Sequence, residues 1–374
     1  MSTQDLDRDA GDAGDSRDAG DSRGAGDARD AGGARNAKDA GGLWEPGGAG
    51  EPAREFAGSA DSARAALVRE IEASGAWAED PVWRDAFAAV PRHLFVPYYY
   101  VGVAGGYERR WELSPDPAAR ERWVRGAYAD TPLATRLRDG ELLSSSSQPS
   151  LMAMMLAALE VRDGDRVLEI GAGTGYNAAL LAHRLGDDDL VTTIDLEPDI
   201  TEAARQHLAA AGYHPVVVTG DGARGVPERA PFDRIIATCT LPSIPRAWLA
   251  QCRPGARILT PLATGLLALT VRDAEHAEGR FLHTPAYFVP LRGGSRREAE
   301  RAQLGGLPSR GRDHELFRFL LALTRGSLDP QEAFALWERE RQPTRERYGI
   351  TVRGEHEWAW LDDPEGPYAW PMPG

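Results

Sequence analysis

The sequence predicts an α/β fold built on a doubly wound, mostly parallel sheet. A helical subdomain precedes the sheet and a small α+β extension follows it. Three observations carry that prediction. Val167-Leu168-Glu169-Ile170-Gly171-Ala172-Gly173-Thr174-Gly175-Tyr176-Asn177 joins a short apolar run to three alternating glycines and the start of a helical pattern. A second apolar run, Leu190-Val-Thr-Thr-Ile194, ends at Asp195. A third, Val216-Val-Val218, is followed by Gly220-Asp221-Gly222. Strands alternating with helices in this way form a parallel sheet, and ligands bind at the carboxyl ends of its strands.

Each element has a physical reason. Residues 166–170 read as a buried parallel strand on the apolar Val167, Leu168 and Ile170. Gly171, Gly173 and Gly175 read as a tight turn whose backbone a ligand approaches closely. Residues 177–185 read as an amphipathic helix. The spacing is G-x-G-x-G, not the G-x-G-x-x-G of dinucleotide folds. Asp195 stands about 20 residues past the glycines, where a strand-end carboxylate accepts both hydroxyls of a ribose. Asp221 is placed to meet an adenine edge. Either acid alone also fits a helix-capping turn. All three elements in order favour a nucleoside cofactor.

With these residues in view, the run E-I-G-A-G-T-G-Y-N-A-A-L-L-A resembles the S-adenosylmethionine (SAM) site of class I methyltransferases. Four more segments narrow the resemblance to the protein-L-isoaspartate O-methyltransferase family. Val90-Pro-Arg-His-Leu-Phe-Val-Pro97 is similar to its V-P-R-x-x-F-V-P segment. Tyr128-Ala-Asp-Thr-Pro-Leu133 resembles its A-Y-x-D-x-P-L segment. Gly220-Asp-Gly222 with Ala230-Pro-Phe-Asp-Arg-Ile235 resembles its G-D-G and A-P-F-D-R-I pair. Cys252-Arg-Pro-Gly-Ala-Arg-Ile-Leu-Thr-Pro261 resembles its L-K-P-G-G-R-L-x-x-P segment. The likeness runs from about residue 63 to 291. It implies SAM as cofactor, S-adenosyl-L-homocysteine as product and no metal. It implies a cofactor site of Glu169, Gly171, Gly173, Gly175, Asn177, Asp195, Leu196, Asp221 and Gly222.

The chemistry is expected at Leu143-Ser-Ser-Ser-Ser-Gln-Pro-Ser-Leu-Met-Ala153. Pro149 after polar residues marks a helix start. Met152, Met155, Leu156 and Leu159 give that helix an apolar face. Its N-terminus is a natural carboxylate site, although an ordinary helix cap has the same composition. The resembling family carries T-I-S-x-P-H here, and its serine contacts the substrate carboxylate. Aligned on Pro149, that serine is Ser147, the expected catalytic residue, with Ser146, Gln148 and Ser150 as substrate-binding neighbours. Two departures stand out: Ser150 replaces the histidine, and Ser145-Ser146 replaces T-I. An altered substrate loop beside a retained cofactor turn suggests the same chemistry on a different substrate.

That chemistry makes few demands. A carboxylate is already ionised at pH 7, so it needs no general base to attack a sulfonium methyl. Catalysis rests on holding oxygen, methyl and sulfur in line in a water-poor site. Of eight histidines only His93 lies in a motif, and a structural role is expected for it.

Composition bounds the rest. The chain of 374 residues carries a formal net charge of −14, which argues against non-specific nucleic-acid binding. Its two cysteines, Cys239 and Cys252, make no disulfide framework or metal-ligand spacing. No run of about 18 apolar residues offers a membrane span. The start lacks a basic and an apolar segment, which predicts no secretory signal and a cytoplasmic protein. Residues 1–60 read as a disordered acidic tail. Asp12-Ala-Gly-Asp-Ser-Arg17 repeats at once as residues 18–23, with no apolar side chain larger than Ala to form a core.

Residues 61–291 are expected to form the catalytic domain. Within them residues 62–100 read as helical, with Trp83 and Phe87 in the core and Pro91 and Pro97 forcing extended chain. Residues 292–374 read as an extension and a candidate peptide-binding region: a polar linker from Gly293, helices at 314–323 and 329–337, then a hairpin and an aromatic tail. Trp358 and Trp360 are expected on one strand face. This extension resembles those of isoaspartate-methyltransferase-like enzymes associated with ribosomally made, post-translationally modified peptides, in lanthipeptide or ATP-grasp systems. The resemblance implies methylation of an aspartate side chain in a cyclised peptide, giving aspartimide and then isoaspartate. The alternatives are repair of isoaspartyl damage in proteins generally, and a SAM-binding scaffold without catalysis. In each enzymatic case the partner is a peptide or protein bearing an Asp or isoAsp carboxylate.

Overall fold

The structure, a computed structural model, describes residues 57–77, 80–104, 106–138, 141–293 and 307–372. The repeat segment and the polar linker past Gly293 lie outside the described residues. Two helices open the described chain, α1 (Ala57–Ser74) and α2 (Val82–Ala89). Trp83 and Phe87 are fully buried, as their helical spacing predicts. A single 3-10 turn at Arg92–Phe95 follows.

The chain then turns to strands, which the helical expectation for residues 62–100 did not foresee. β1 (Tyr98–Val103) and β2 (Gly106–Trp111) form a hairpin. The run Tyr-Tyr-Tyr-Val-Gly-Val is aromatic and β-branched, which suits a pleated, half-buried surface. Helix α3 (Pro117–Ala127) is capped by the Asp116 carboxylate, which accepts from the Ala118 and Ala119 N–H groups. β3 (Leu133–Arg138) and β4 (Glu141–Ser146) complete a four-stranded sheet in the order β2-β1-β3-β4. Helix α4 (Pro149–Leu159) leaves β4 through Ser147 and Gln148 and buries Met152, Met155, Leu156 and Leu159 as expected.

A ten-stranded sheet carries the rest. β5 (Val167–Ile170), β6 (Val191–Asp195), β7 (Val216–Thr219), β8 (Phe232–Ala237) and β9 (Cys252–Leu262) pair in parallel. Between the first three strands run α5 (Tyr176–Leu185) and α6 (Pro198–Ala210), and α7 (Arg246–Ala250) leads into β9. The spatial order reverses on either side of β5, which lies between β6 and β8. That reversal opens a crevice at the carboxyl ends of the strands.

From β9 the sheet continues antiparallel. β10 (Gly265–Asp273) and β11 (His276–Pro285) fold back as hairpins. Helices α8 (Ser309–Arg312), α9 (Glu315–Leu323) and α10 (Pro330–Arg339) follow. Asp329 and Glu332 close a capping box on α10. β12 (Tyr348–Arg353), β13 (His356–Leu361) and β14 (Ala369–Pro371) then add to β11 in the same sheet. The extension is therefore built onto the main sheet and does not form one of its own. Trp360 is buried and Trp358 is partly exposed.

Side chains alternate between two cores, one on each face. Val167, Ile236 and Leu259 join the core of α1, α2, α4 and α5, while Leu168, Ile235 and Ile258 join that of α9, α10 and the late strands. Burial of each such side chain stabilises the fold by about 1.5–3 kcal/mol. Among the described residues no helix is long and apolar enough to cross a membrane.

Candidate functional site

The crevice beside β5 holds an open cleft lined by the glycine turn, the end of β6, the serine strand and residues 289–292. The glycine turn forms its floor. Gly171, Gly173 and Gly175 all have φ between +51° and +99°, a region open to glycine. The Gly171 and Ala172 N–H groups donate to the Ile194 carbonyl at 2.8 and 3.1 Å, tying the turn to β6. A Cβ on Gly171 would lie 2.6 Å from Thr238 Oγ1, so the backbone here passes where no side chain fits. Gly175 caps α5 and lies against Leu208 and the Ala204 carbonyl, outside the cleft lining.

Two carboxylates from neighbouring strands face the turn. Glu169 is buried; its oxygens accept from Asn177 Nδ2 at 2.8 Å and Thr193 Oγ1 at 2.6 Å. Burial pushes Glu169 up to about 7, against the pull of the two hydrogen bonds. Asn177 Oδ1 is buried without a hydrogen-bond partner and lines the cleft. Asp195 Oδ2 accepts from the Gly173 N–H at 3.2 Å, and Oδ1 lies 3.4 Å from Arg292 Nη2. Leu196 and Gly222 also line the cleft. Asp221 does not. It accepts from the Ala223 N–H and packs against Gly293, one residue away from the cleft wall.

These features fit SAM. A backbone cradle that excludes side chains, an orphaned buried acceptor and a strand-end carboxylate suit an adenosyl group with a donor-bearing tail. Glu169, Gly171, Gly173, Asn177, Asp195, Leu196 and Gly222 come together as the sequence reading expects. Gly175 and Asp221 lie outside the lining.

The serine strand also lines the cleft. Ser144 to Ser147 all line the cleft. A Cβ on Gly173 would lie 3.5 Å from the Ser145 carbonyl, so the serine strand runs close to the cofactor turn with room for little more than a methyl group between them. Among the described residues Ser147 Oγ makes no hydrogen bond. Ser146 Oγ accepts from Arg92 Nη2 at 3.3 Å. Gln148 and Ser150 lie outside the cleft lining. Both are held by Asp130, whose oxygens accept from Gln148 Nε2 at 3.1 Å and the Ser150 N–H at 2.8 Å. The N-terminus of α4, read from sequence as a carboxylate site, thus already has a carboxylate, that of Asp130.

Three residues escaped sequence reasoning as site residues: Arg92, Asp130 and Arg292. Arg92 and Asp130 belong to recognisable motifs, but their partners lie far along the chain. Arg292 fell just beyond the expected domain end. His93, for which a structural role is expected, lies outside the cleft lining. It is half-buried, its Nδ1 is 2.7 Å from Tyr128 OH, and burial lowers it to about 4.

The comparisons agree with this geometry. The sequence model of the family described as protein-L-isoaspartate(D-aspartate) O-methyltransferase matches residues 117–296. Protein-L-isoaspartate O-methyltransferase 1 of Archaeoglobus fulgidus is 35% identical over 210 residues, covering 56% of this chain and 84% of that protein. The protein-L-isoaspartate O-methyltransferase of Methylorubrum extorquens is 40% identical over 211 residues, covering 55% of this chain and 78% of that protein. A solved protein-L-isoaspartate O-methyltransferase superposes with a TM-score of 0.54 at 22% identity, over 82% of this chain and 98% of the other, a likeness of fold. The chain belongs to the protein-L-isoaspartate O-methyltransferase family.

Proposed function

We propose that the chain is a SAM-dependent carboxyl O-methyltransferase acting on the isoaspartyl carboxylate of a peptide or protein. The observation that supports this most is the closeness of the serine strand to the glycine turn, where a Cβ on Gly173 would come 3.5 Å from the Ser145 carbonyl. Ser147 and the cofactor cradle line one cleft. When bound, SAM supplies an activated methyl group. The chain's own residues supply position. Ser147 Oγ donates a hydrogen bond to the substrate carboxylate. The Asp130 carboxylate holds the N-terminus of α4, so that the hydroxyl, not the helix end, meets the substrate. Leu143, Met152 and Leu291 limit water in the cleft. No side chain has to take a proton, because the attacking carboxylate is already ionised.

A second reading has one observation in its favour. The family match ends at residue 296, and β12, β13 and β14 lie beyond it although they are built into the sheet. On this reading the substrate is an aspartate side chain in a cyclised ribosomal peptide. The methyl ester then loses methanol to the neighbouring backbone nitrogen and gives aspartimide. The test is methyl transfer from labelled SAM to two substrates, a linear isoaspartyl peptide and a cyclised precursor peptide. Transfer to the linear peptide supports the first reading. Transfer to the cyclised peptide alone, followed by methanol release, supports the second. Bound SAM with no transfer to either leaves a scaffold.

A further inference from the structure

We propose that Arg292 is a built-in competitor for the ribose-binding carboxylate, occupying the Asp195 oxygen that the cofactor's diol needs and so setting cofactor affinity. The proposal rests on the cofactor reading of the cleft. Asp195 has two oxygens to offer. Oδ2 is engaged by the Gly173 N–H at 3.2 Å. Oδ1 faces Arg292 Nη2 at 3.4 Å, with the Glu197 N–H at 3.5 Å. A guanidinium and a vicinal diol are both paired donors, and they seek the same carboxylate edge. The Asp195 side chain is only 10% exposed, so water does little to fill in for either.

Arg292 is delivered to this place by the backbone. The Leu291 N–H donates to the Thr240 carbonyl and the Thr240 N–H to the Val289 carbonyl, both at 2.9 Å. Residues 289–291 are thereby bridged in parallel to the chain leaving β8. Arg292 follows at once and lines the cleft. Gly293 then lies against Asp221, where a Cβ would come within 2.7 Å of Oδ1. The same strap therefore covers both acids that the sequence assigns to the adenosyl group.

Glu197 gives the arginine somewhere to stay. Its Oε1 is 3.0 Å from Arg292 Nη1. A diol arriving at Asp195 has only to displace Nη2, while the pair with Glu197 persists. The guanidinium is 29% exposed, so the contact that must be broken is partly screened by solvent and ions. A pair of that kind corresponds to a competitive penalty of about two- to fivefold in affinity.

The experiment is calorimetric titration of the full chain with S-adenosylhomocysteine, whose charges sum to zero at neutral pH. Wild type, Arg292→Gln and Arg292→Lys are compared at about 50 and 500 mM salt, on either side of the physiological screening range. Salt weakens the internal pair, so wild-type affinity is expected to rise with salt. Arg292→Gln is expected to bind about two- to fivefold tighter at low salt and to lose the salt response. Arg292→Lys is expected to retain most of that response. Equal or weaker binding by Arg292→Gln, or the same salt response in all three chains, overturns the proposal. No binding by any of the three overturns the cofactor reading itself.

Discussion

Arg92 Nη2 donates to the Ser147 carbonyl at 3.0 Å, so a fully buried guanidinium holds the backbone of the residue expected to meet the substrate. The same group donates to Ala127 O at 2.9 Å and Ala129 O at 3.0 Å through Nη1. Among the described residues it forms no ion pair with a carboxylate. Burial lowers its pKa to about 10, and it stays charged at neutral pH. Arg92 therefore joins α3, the Asp130 loop and the serine strand by charge-assisted hydrogen bonds. Arg92→Met is expected to orphan these carbonyls, at about 1–3 kcal/mol each. A net loss of about 3 kcal/mol or more corresponds to a fall in Tm of roughly 6–12 °C, read by thermal melting. A smaller change would show that water replaces the guanidinium.

Ser147→Ala tests the proposed substrate contact. One hydrogen bond to a charged group is worth about 1.5–3 kcal/mol, so kcat/KM is expected to fall about ten- to hundredfold. The Kd for SAM is expected to stay unchanged, because among the described residues Ser147 Oγ makes no hydrogen bond to the glycine turn. Initial rates with an isoaspartyl peptide and calorimetry with SAM separate the two effects. Undiminished turnover removes Ser147 from the mechanism.

The parts of the site that the sequence reveals are those whose chemistry is local. Gly171 and Gly173 declare a positive-φ turn, Asp195 a strand end and Pro149 a helix start, each within a few residues. Arg92 stands 55 residues before Ser147, and Arg292 stands 97 after Asp195. A hydrogen bond over such a distance leaves no periodicity to read. Asp130 looked like a loop residue of a motif; only its approach to the Ser150 N–H makes it the cap of α4. The hairpin of β12 and β13 was visible from its composition. Its partner β11 was not, because strand alternation shows which face is buried but not which strand lies alongside.

Asp195→Ala tests the ribose assignment. Loss of a charged acceptor is expected to weaken SAM about ten- to hundredfold. It also frees the Gly173 N–H, so the glycine turn loses one of its restraints. Asp195→Asn keeps one acceptor and is expected to bind between wild type and Asp195→Ala. Identical dissociation constants in all three chains would refute the assignment.

Glu169 predicts a pH signature. Burial raises it from 4.5 to about 7. The folded chain therefore holds more protons than the unfolded chain between these values. The contribution of Glu169 to stability is full below about 4.5 and is lost as pH rises through about 7. Glu357, pushed up to about 7 by burial although the Ile244 N–H and Arg246 favour its charged form, acts in the same direction. The two differ at the cleft. SAM carries net positive charge, so its binding favours ionised Glu169 and releases a proton near neutral pH. SAM affinity is expected to rise as pH climbs through about 7. Calorimetry in buffers of different ionisation enthalpy counts the released proton. Glu169→Gln is expected to release none and to bind SAM with no pH dependence in this range. Glu357→Gln is expected to flatten part of the stability profile and to leave the proton release intact. Unchanged release in Glu169→Gln would place the titrating group elsewhere in the cleft.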